Sequence, residues 1–554
     1  MMINTNKIYP HIIDKIKEWP IYKFYRSKTI YKKEVVQMVF DNIIEKFGED
    51  VRDEVLKCTY LELKRIKSNP WKVDPSDEKK FWDEIRQLIL KSDKCEELSI
   101  CHFHLKRIIT RYVEEIFGDF KVNTYKFARV FLTYLFNRLF NGLFVGSMLN
   151  IFAKRRSLKD KILLAGYVEE TRDLFSKGDV VFLPTHQSNL DSVLIGYAID
   201  YKLGLPAFSY GAGLNLFNYE LAAFYMSRLG AYKVDRRKKN SIYFNSLMTF
   251  SMYSIKKNVN SIFFPGGTRS RSGELEVNLK TGLMGSLLEA QYDKIANKGG
   301  KIFIVPVVLN YHSVLEAKPL IYSYLKSSGN KKFMARSKHM IQRSKSINLF
   351  KSIYNIFTKE SDFVLSLGEP MDVFGNTLDN NGFSLDSTGK SLNIEDYFKR
   401  EGKLVKDTQR DIVYTKMLAK KVASSYLKSN VILSSHLVSF AFYRCLEEKL
   451  KFEDVFDLMK YNEKEEKIDI QRLSVKVSDL IFKLRKLQKD EKIILSNEFE
   501  FPLKEFVNTG IKKVGVYHRE KVMYISKGSA VKTDNFGLLF YYANRLSFLK
   551  KILN

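Results

Sequence analysis

The sequence predicts an α/β fold with a mostly parallel sheet flanked by helices, an N-terminal helical region and a mainly helical C-terminal region. Two observations predict this fold. After Asp179 the chain alternates short apolar runs that end at Gly or Pro with longer stretches compatible with helices. Residues 1–125 are polar, highly charged and poor in glycine, which indicates a set of helices instead.

The individual elements follow from these patterns. Pro70 cannot continue a helix and is expected to end one. The residues after 376 are rich in Asn, Ser, Gly and Asp and predict a linker. The predicted strands are Val180–Pro184, the run from Phe208, Ser261–Gly267, Ile302–Leu309 and Phe363–Pro370, and the clearest helices are Ser192–Leu203 and Gly285–Ala296. The predicted regions are 1–125 helical, 126–375 the α/β domain, 376–404 the linker and 405–554 mainly helical.

Length, hydrophobic content, cysteine count and net charge exclude several classes of protein. The 554 residues correspond to roughly three or four structural units. Hydrophobic residues make up 45%, which excludes disorder of the whole chain. Four cysteines in so long a chain argue against a disulfide scaffold and suit a reducing compartment. The net charge, 92 − 63 = +29, points to an anionic partner: nucleic acid, an anionic membrane surface or an acidic protein.

The N-terminus shows no signal-peptide pattern. The best candidate for a membrane span is Val130–Ala153, but Arg138 near its centre makes insertion costly. Thr133, Asn137 and Asn141 form a narrow polar stripe on this segment. The segment therefore predicts either a helix that lies in a membrane interface or one that packs in the protein core, with both alternatives open.

The first candidate for chemistry is a His–Asp pair. The apolar run Val180–Pro184 leads directly into His186, so a strand is expected to present this histidine at its carboxyl end. Ser188 or Asn189 is expected to cap a helix that begins near Asp191. Across such a turn the carboxylate of Asp191 can fix the imidazole tautomer, which leaves the other ring nitrogen to take a proton from a hydroxyl group.

The second candidate is an anion site. Gly266 and Gly267 follow an apolar run and allow backbone N–H groups to approach an anion closely. Arginine side chains can then bind phosphate oxygens through two hydrogen bonds each. The basic residues near these glycines and at the end of another extended run are Arg269, Arg271, Lys280, Arg236 and Arg237.

These patterns occur as four blocks in a fixed order: HQSNLD, AGLNLF with RLGAYKVDRR, FFPGGTRSR, and IVPVVLNYHSVLE. The blocks and their order resemble the glycerolipid acyltransferases, whose hallmark is His-x4-Asp. The spacing is most similar to the bacterial membrane-associated glycerol-3-phosphate acyltransferases and their dihydroxyacetone-phosphate relatives. The resemblance covers residues 125–554, including FNRLFNG, LSLGEPMDVF, VILSSHLVSFAF and FYYANRLSFL.

The resemblance implies that the α/β domain is a glycerolipid acyltransferase core and that the protein moves a fatty acyl group from a thioester to the sn-1 hydroxyl of glycerol 3-phosphate, the first step of phospholipid synthesis. His186 would be the general base, Asp191 its orienting carboxylate, and Pro306 would shape the acyl side. The donor would be acyl-CoA or acyl-acyl carrier protein, with no metal and no further cofactor. The residues implied to hold the phosphate are Arg236, Gly267, Thr268, Arg269, Ser270, Arg271 and Lys280.

Two positions depart from the resemblance. The family carries Glu before the Gly of the third block, where this chain has Gly266, and a basic residue is common where this chain has Glu274. The alternatives that stay open are a dihydroxyacetone-phosphate or lysophosphatidate acyltransferase, and a catalytically weak lipid-binding relative.

Part of the positive charge lies directly after the fourth block. Ala317–Lys359 contains ten Lys and Arg residues, no Asp or Glu, and interleaved apolar residues such as Leu320. This pattern predicts docking on an anionic membrane surface, or attraction of an acidic carrier protein. We therefore expect a peripheral protein on the cytoplasmic face of the inner membrane. Nucleic-acid binding is not expected, because no corresponding motif is present.

Two further histidine patterns have weaker functional interpretations. Cys95, Cys101, His102 and His104 match no common zinc spacing. His312 is expected to be structural rather than a second base.

Overall fold

The computed structural model describes residues 7–91, 97–141, 160–218, 220–328, 361–526 and 528–550. Its centre is a seven-stranded sheet with the strand order β1-β7-β6-β2-β5-β3-β4. All neighbouring strands run parallel except β6 and β7, which are antiparallel. The predicted α/β class is confirmed. The strands are β1 Ile162–Gly166, β2 Gly178–Pro184, β3 Ser209–Gly213, β4 Ala231–Val234, β5 Ser261–Ile262, β6 Lys301–Tyr311 and β7 Phe363–Leu367.

The parallel arrangement brings the ends of β2, β3 and β5 to the same edge of the sheet. β2 is buried along most of its length and pairs with β6 through Pro184, which lies opposite Val307. β5 is shorter than the sequence predicts, because the chain leaves the ladder after Ile262 and turns at Gly266 and Gly267. The loops that follow β2 and β5 therefore lie side by side.

Six helices precede the sheet, as predicted for this region. They share a hydrophobic core with α10, in which Trp19, Trp82 and Tyr112 are fully buried. The third helix ends two residues before Pro70, as expected. The helices are α1 Pro20–Arg26, α2 Lys28–Phe47, α3 Val51–Ser68, α4 Glu78–Lys91, α5 Glu97–Ile116 and α6 Val122–Asn141. Those that flank the sheet are α7 Val168–Leu174, α8 Asp191–Tyr201, α9 Glu220–Met226, α10 Ser241–Lys256, α11 Gly282–Ala296 and α12 Ala317–Ser328.

The C-terminal region is mainly helical, as predicted, and its apolar residues join the core of the sheet. α14 lies at its centre and packs against α16, α17 and α18. Its helices are α13 Thr408–Lys428, α14 Ser434–Leu450, α15 Val455–Leu458, α16 Ile470–Lys489, α17 Leu503–Lys513 and α18 Phe536–Ala543. Short strands lie at Ser384–Leu385, Ser391–Leu392, Lys399–Arg400, Lys403–Leu404, Val431–Ile432, Ile468–Asp469, Ile494–Leu495, Tyr524–Ile525 and Ala530–Lys532.

The predicted linker contains short hairpins. Ser384–Leu385 pairs with Ser391–Leu392, and Lys399–Arg400 pairs with Lys403–Leu404. Phe398 is fully buried against the core under the sheet. The exact division of the chain into four regions stays a prediction.

The polar stripe of α6 faces the protein. Thr133 Oγ1 lies 2.9 Å from the hydroxyl of Tyr197 on α8, and Asn137 donates to the carbonyl of Thr133. The opposite face of α6 is apolar and exposed. In the described part of the chain, no helix combines the length and apolar character needed to cross a membrane. Residues 142–153 of the predicted segment lie outside the described residues.

A buried ionic cluster ties the C-terminal region to β6 and β7. Lys513 of α17 donates to Glu498 at 2.8 Å and to Asp362 at 3.1 Å, and His312 Nε2 lies 3.2 Å from Asp362. His312 also hydrogen-bonds Ser435, so it is structural, as predicted. Burial alone would raise the pKa of Asp362 and Glu498, but His312 and Lys513 outweigh it and hold the pKa of each carboxyl below its ordinary value.

We expect Lys513→Met to lower the free energy of unfolding by about 2 kcal/mol at pH 7, because two buried carboxylates lose a charged donor. Since the pKa values of these carboxyls are depressed in the folded state, their contribution is full above the ordinary carboxyl pKa of about 4 and is lost as the pH falls. The difference between variant and wild type should therefore shrink below pH 4. Urea unfolding measures both effects. Lys512→Met, at an exposed neighbouring position, is the matched control, and equal losses from the two variants would contradict the assignment.

Candidate active site

His186 and Asp191 form the predicted pair at the carboxyl end of β2. His186 Nδ1 lies 2.8 Å from Asp191 Oδ2, so the carboxylate fixes the imidazole with Nε2 on the opposite side. Among the described residues, Nε2 has no hydrogen-bond partner. The ring packs against Phe264, with 4.4 Å between the ring centroids. The geometry is that of a general base whose orienting carboxylate is in place.

Asp191 is fully buried, and each oxygen of its carboxylate has at least one hydrogen-bond partner. Oδ2 accepts the backbone N–H groups of Gln187 at 2.6 Å and Ser188 at 2.9 Å, besides contacting His186. Oδ1 accepts the hydroxyl of Tyr311 at 2.7 Å. Burial and the adjacent Asp191 raise the pKa of Tyr311 well above its ordinary value, so this tyrosine is a neutral donor.

The prediction that Ser188 or Asn189 caps α8 is wrong. α8 begins at Asp191 with Leu190 as its N-cap residue, and no side chain caps it. Ser188 Oγ donates to Glu316 Oε2 at 2.8 Å, and the backbone N–H of Asn189 donates to Glu316 Oε1 at 3.0 Å. A carboxylate from the segment after β6 therefore holds the turn, which the local sequence could not reveal.

The predicted anion site lies on the loop after β5. Gly267 has a positive φ of 73°, a conformation that favours glycine, and the side chain of Lys280 packs closely over it. Arg269 Nη1 lies 3.5 Å from Glu316, so this arginine is joined to the turn that carries the His–Asp pair. The backbone N–H of Ser270 donates to the carbonyl of His186 at 2.8 Å. The loop and the histidine are thus directly connected.

The structure distinguishes between the two neighbouring arginines after β4. Arg237 is held by Asp74 and Asp235 and lies 3.8 Å over the ring of Trp71, so its role is structural. Arg236 is exposed and has no acidic partner among the described residues. Partial desolvation and the nearby charge of Arg269 lower the pKa of Arg236. Arg236, with the positive charge of Arg269 acting on it, is therefore a candidate for binding an anionic ligand.

The remaining predicted residues are more peripheral. Thr268 and Arg271 are exposed, and Arg271 has no hydrogen bond or ion pair with any described residue. Glu274 accepts a hydrogen bond from Asn544 of the C-terminal region. Cys101 and His104 are buried in the N-terminal helices, and Cys95 lies outside the described residues.

An apolar cavity of about 280 Å³ opens beside the start of α8. Ser192 and Val193, which directly follow Asp191, contribute to its wall. The other lining residues come from α6, α8, α9, β3 and β5, and are mainly apolar and aromatic. Pro306 lies within β6 and is not among them, so the cavity does not support its expected role on the acyl side. The space suits an apolar chain at the start of α8.

Sequence reasoning missed four residues that organise the site. Tyr311 and Glu316 lie in the fourth block, but the sequence alone does not indicate that they bind Asp191 and Ser188. Glu276 accepts the backbone N–H of His186 at 2.9 Å. Burial raises the pKa of Glu276 to about 8, despite this N–H. Arg545 is buried and donates to Leu309 and Asn310 near the end of β6. No local pattern indicates the last two, because both act across long sequence separations.

Comparison with known proteins agrees with this geometry. A family model described as Acyltransferase matches residues 165–310, the span from β1 to the end of β6. Glycerol-3-phosphate acyltransferase from Alteromonas mediterranea is 27% identical over 252 residues, which cover 45% of this chain and 27% of that protein.

Two further proteins with the same name are similar to this chain. The one from Pseudoalteromonas translucida is 28% identical over 291 residues, 51% of this chain and 30% of its own length. The one from Pseudomonas aeruginosa strain PAO1 is 24% identical over 288 residues, 52% of this chain and 30% of its own length. The chain thus matches less than a third of the length of each of these relatives. The residues matched by the family model, 165–310, include the His–Asp pair and the arginine loop.

Proposed function

We propose that this protein transfers a fatty acyl group from a thioester to the sn-1 hydroxyl of glycerol 3-phosphate. The observation that carries the proposal is an Asp-oriented histidine whose backbone is hydrogen-bonded to the loop of Arg269. The nearby charge of Arg236 and the apolar cavity at the start of α8 add to it. Each part matches one part of the reaction: a base for the hydroxyl, cations for the phosphate and an apolar wall for the acyl chain. The similar proteins named glycerol-3-phosphate acyltransferase support the choice of acceptor.

In the proposed reaction, His186 Nε2 removes the proton of the acceptor hydroxyl as its oxygen attacks the thioester carbonyl. Asp191 stabilises the imidazolium that forms, and Tyr311 and the two backbone N–H groups keep that carboxylate in place. The tetrahedral intermediate collapses, the C–S bond breaks, and the leaving thiolate takes the proton from His186. The products are the acyl ester and a free thiol, and the acyl-CoA or acyl-acyl carrier protein is the only co-substrate. No metal and no covalent acyl-enzyme take part in this scheme.

The phosphate of the acceptor would lie between Arg236 and Arg269, near the glycines after β5. Arg269 is positioned by Glu316, and Ser270 connects its loop to the backbone of His186. Binding energy at the phosphate would thereby orient the hydroxyl toward the base. Thr268, Arg271 and Lys280 lie at the rim of this proposed pocket.

We expect His186→Ala and Asp191→Asn to lower kcat with glycerol 3-phosphate by on the order of 10³-fold, because the base is lost or loses its tautomer. The KM for glycerol 3-phosphate should change little, since the phosphate binds elsewhere. Release of the thiol, measured with purified protein, gives both parameters. His102→Ala, on α5, is the control and should match wild type. Equal rates for wild type and His186→Ala would contradict the proposal.

The neighbouring arginines give a matched pair of variants. Arg236→Met should raise the KM for glycerol 3-phosphate by about 10- to 100-fold through loss of a charge-assisted contact, without altering stability. Arg237→Met should lower the free energy of unfolding by about 3 kcal/mol, because it leaves Asp74 and Asp235 without their partner. Kinetics and urea unfolding of both variants check this division. A stability loss from Arg236→Met with unchanged KM would reverse the assignment.

We also propose that the exposed face of α6 docks on an anionic membrane surface, on the cytoplasmic side of the inner membrane. Phe127, Val130, Phe131 and Tyr134 recur at helical spacing on this face, each between 47% and 71% exposed. Phe131 also lines the apolar cavity, so an acyl chain could pass from the lipid to the site. Interfacial helices commonly carry aromatic residues on such a face.

Two of the ten basic residues in the segment after the fourth block, Lys318 and Lys326, lie among the described residues, so the docking role of this segment stays a prediction. Lys318 pairs with Glu520, and Leu320 and Leu325 of α12 are buried in the core. Residues 329–359 of that segment lie outside the described residues. The net charge of +29 still favours anionic over neutral lipid.

We expect the double change Phe127→Ser and Phe131→Ser to weaken binding to vesicles that contain phosphatidylglycerol by at least about tenfold, because two aromatic rings no longer enter the interface. Vesicle flotation measures the bound fraction. Phe482→Ser, at a 77% exposed position on α16, is the matched control and should bind like wild type. Unchanged binding of the double variant, or no preference for anionic lipid, would count against this surface.

A further inference from the structure

The loop after β5 contains a position where a side chain would collide with a carboxyl group. A Cβ atom on Gly266 would overlap the carboxyl of Glu276 and lie 2.6 Å from its carbon Cδ. A side chain at position 266 and the carboxyl at position 276 therefore compete for the same space. Gly266 has no positive φ that would require glycine, so the crowding accounts for its identity.

The carboxyl that fills this space is connected to the catalytic pair through the backbone. Glu276 Oε1 accepts the N–H of His186 at 2.9 Å, and the carbonyl of His186 accepts the N–H of Ser270 at 2.8 Å. Both peptide groups of His186 are thus fixed by the segment 266–276, which also carries Arg269. Any shift of Glu276 would move the histidine relative to the arginine loop.

The second oxygen of this carboxyl faces the protein interior. Glu276 Oε2 is buried without a hydrogen-bond partner among the described residues. Arg545 of the C-terminal region is also buried, and its positive charge acts on Glu276. A buried carboxyl with one unpaired oxygen is costly, so its retention beside the catalytic histidine points to a role other than stability.

We propose that Glu276 is a positioning residue for acyl transfer, which fixes the backbone of His186 against the loop of Arg269. It takes the place of the glutamate that the third block carries at position 266 in the family this chain resembles. In this chain the carboxyl of Glu276 occupies the space that a side chain at position 266 would need, and Gly266 leaves that space open. This inference rests on the function proposed above.

The test exchanges the residues at positions 266 and 276. Glu276→Gly should lower kcat by about 10- to 100-fold through loss of one hydrogen bond that positions His186. Gly266→Glu should lower it by a similar factor, because two carboxyl groups then crowd one space. The double variant Gly266→Glu with Glu276→Gly should recover to within about fivefold of wild type, since the pair is coupled. A double variant no better than either single variant would overturn the proposal.

Two further variants separate positioning from folding. Glu276→Gln keeps a carbonyl oxygen for the His186 N–H and should retain most of kcat, whereas Glu276→Ala should not. The KM for the acyl donor should stay unchanged in both, and Glu274→Ala, at an exposed position nearby, should behave like wild type. Full activity of Glu276→Ala would refute the role even if the double variant does not fold. Absence of transfer by the wild-type protein would instead refute the proposed function.

Discussion

The site depends on the buried carboxylate of Asp191. It has no exposure to solvent, yet it accepts two backbone N–H groups and the hydroxyl of Tyr311 while it holds the imidazole of His186. An isolated buried carboxylate would be very unfavourable, and these donors make its charge tolerable. Because the donors come from the turn after β2 and from the end of β6, the carboxylate also fixes how these two segments meet.

The arginine loop is positioned by the same turn. Glu316 receives hydrogen bonds from Ser188 and Asn189 and lies beside Arg269, so one carboxylate connects the turn of His186 to the arginine loop. The C-terminal region supports the opposite side of this arrangement. Arg545 donates to Leu309, and the ring of His436 contacts the carbonyl of Tyr311. The region therefore stabilises the end of β6, which carries Tyr311 and precedes the segment that carries Glu316.

The sequence was sufficient for the parts of the site that depend on local patterns. The run before His186 predicts a strand with the histidine at its carboxyl end, and the glycines before Arg269 predict a loop in which backbone N–H groups can approach an anion. The role of Glu276 could not be predicted, because it depends on contacts made after the loop folds back on His186. The expected cap at Ser188 does not form, and the hydroxyl of Ser188 donates instead to the distant carboxylate of Glu316, which the local sequence does not indicate.

Periodicity leaves two alternatives for α6, and the structure shows that one face of this helix packs against the protein. Its polar residues contact α8 through Thr133 and Tyr197, while its aromatic residues face outward. A helical pattern gives the spacing of two faces but does not say which face meets the protein, since that depends on the neighbouring helix.

The central claim is that an Asp-oriented histidine acts on a hydroxyl whose phosphate is held by paired arginines. The most direct measurement compares glycerol 3-phosphate with glycerol as the acceptor for the wild-type protein and one acyl-CoA. Transfer to glycerol 3-phosphate with a kcat/KM at least about 10³-fold higher is expected, since two or more charge-assisted contacts are made only with the phosphate. Equal values for the two acceptors, or no transfer to either, would contradict the claim.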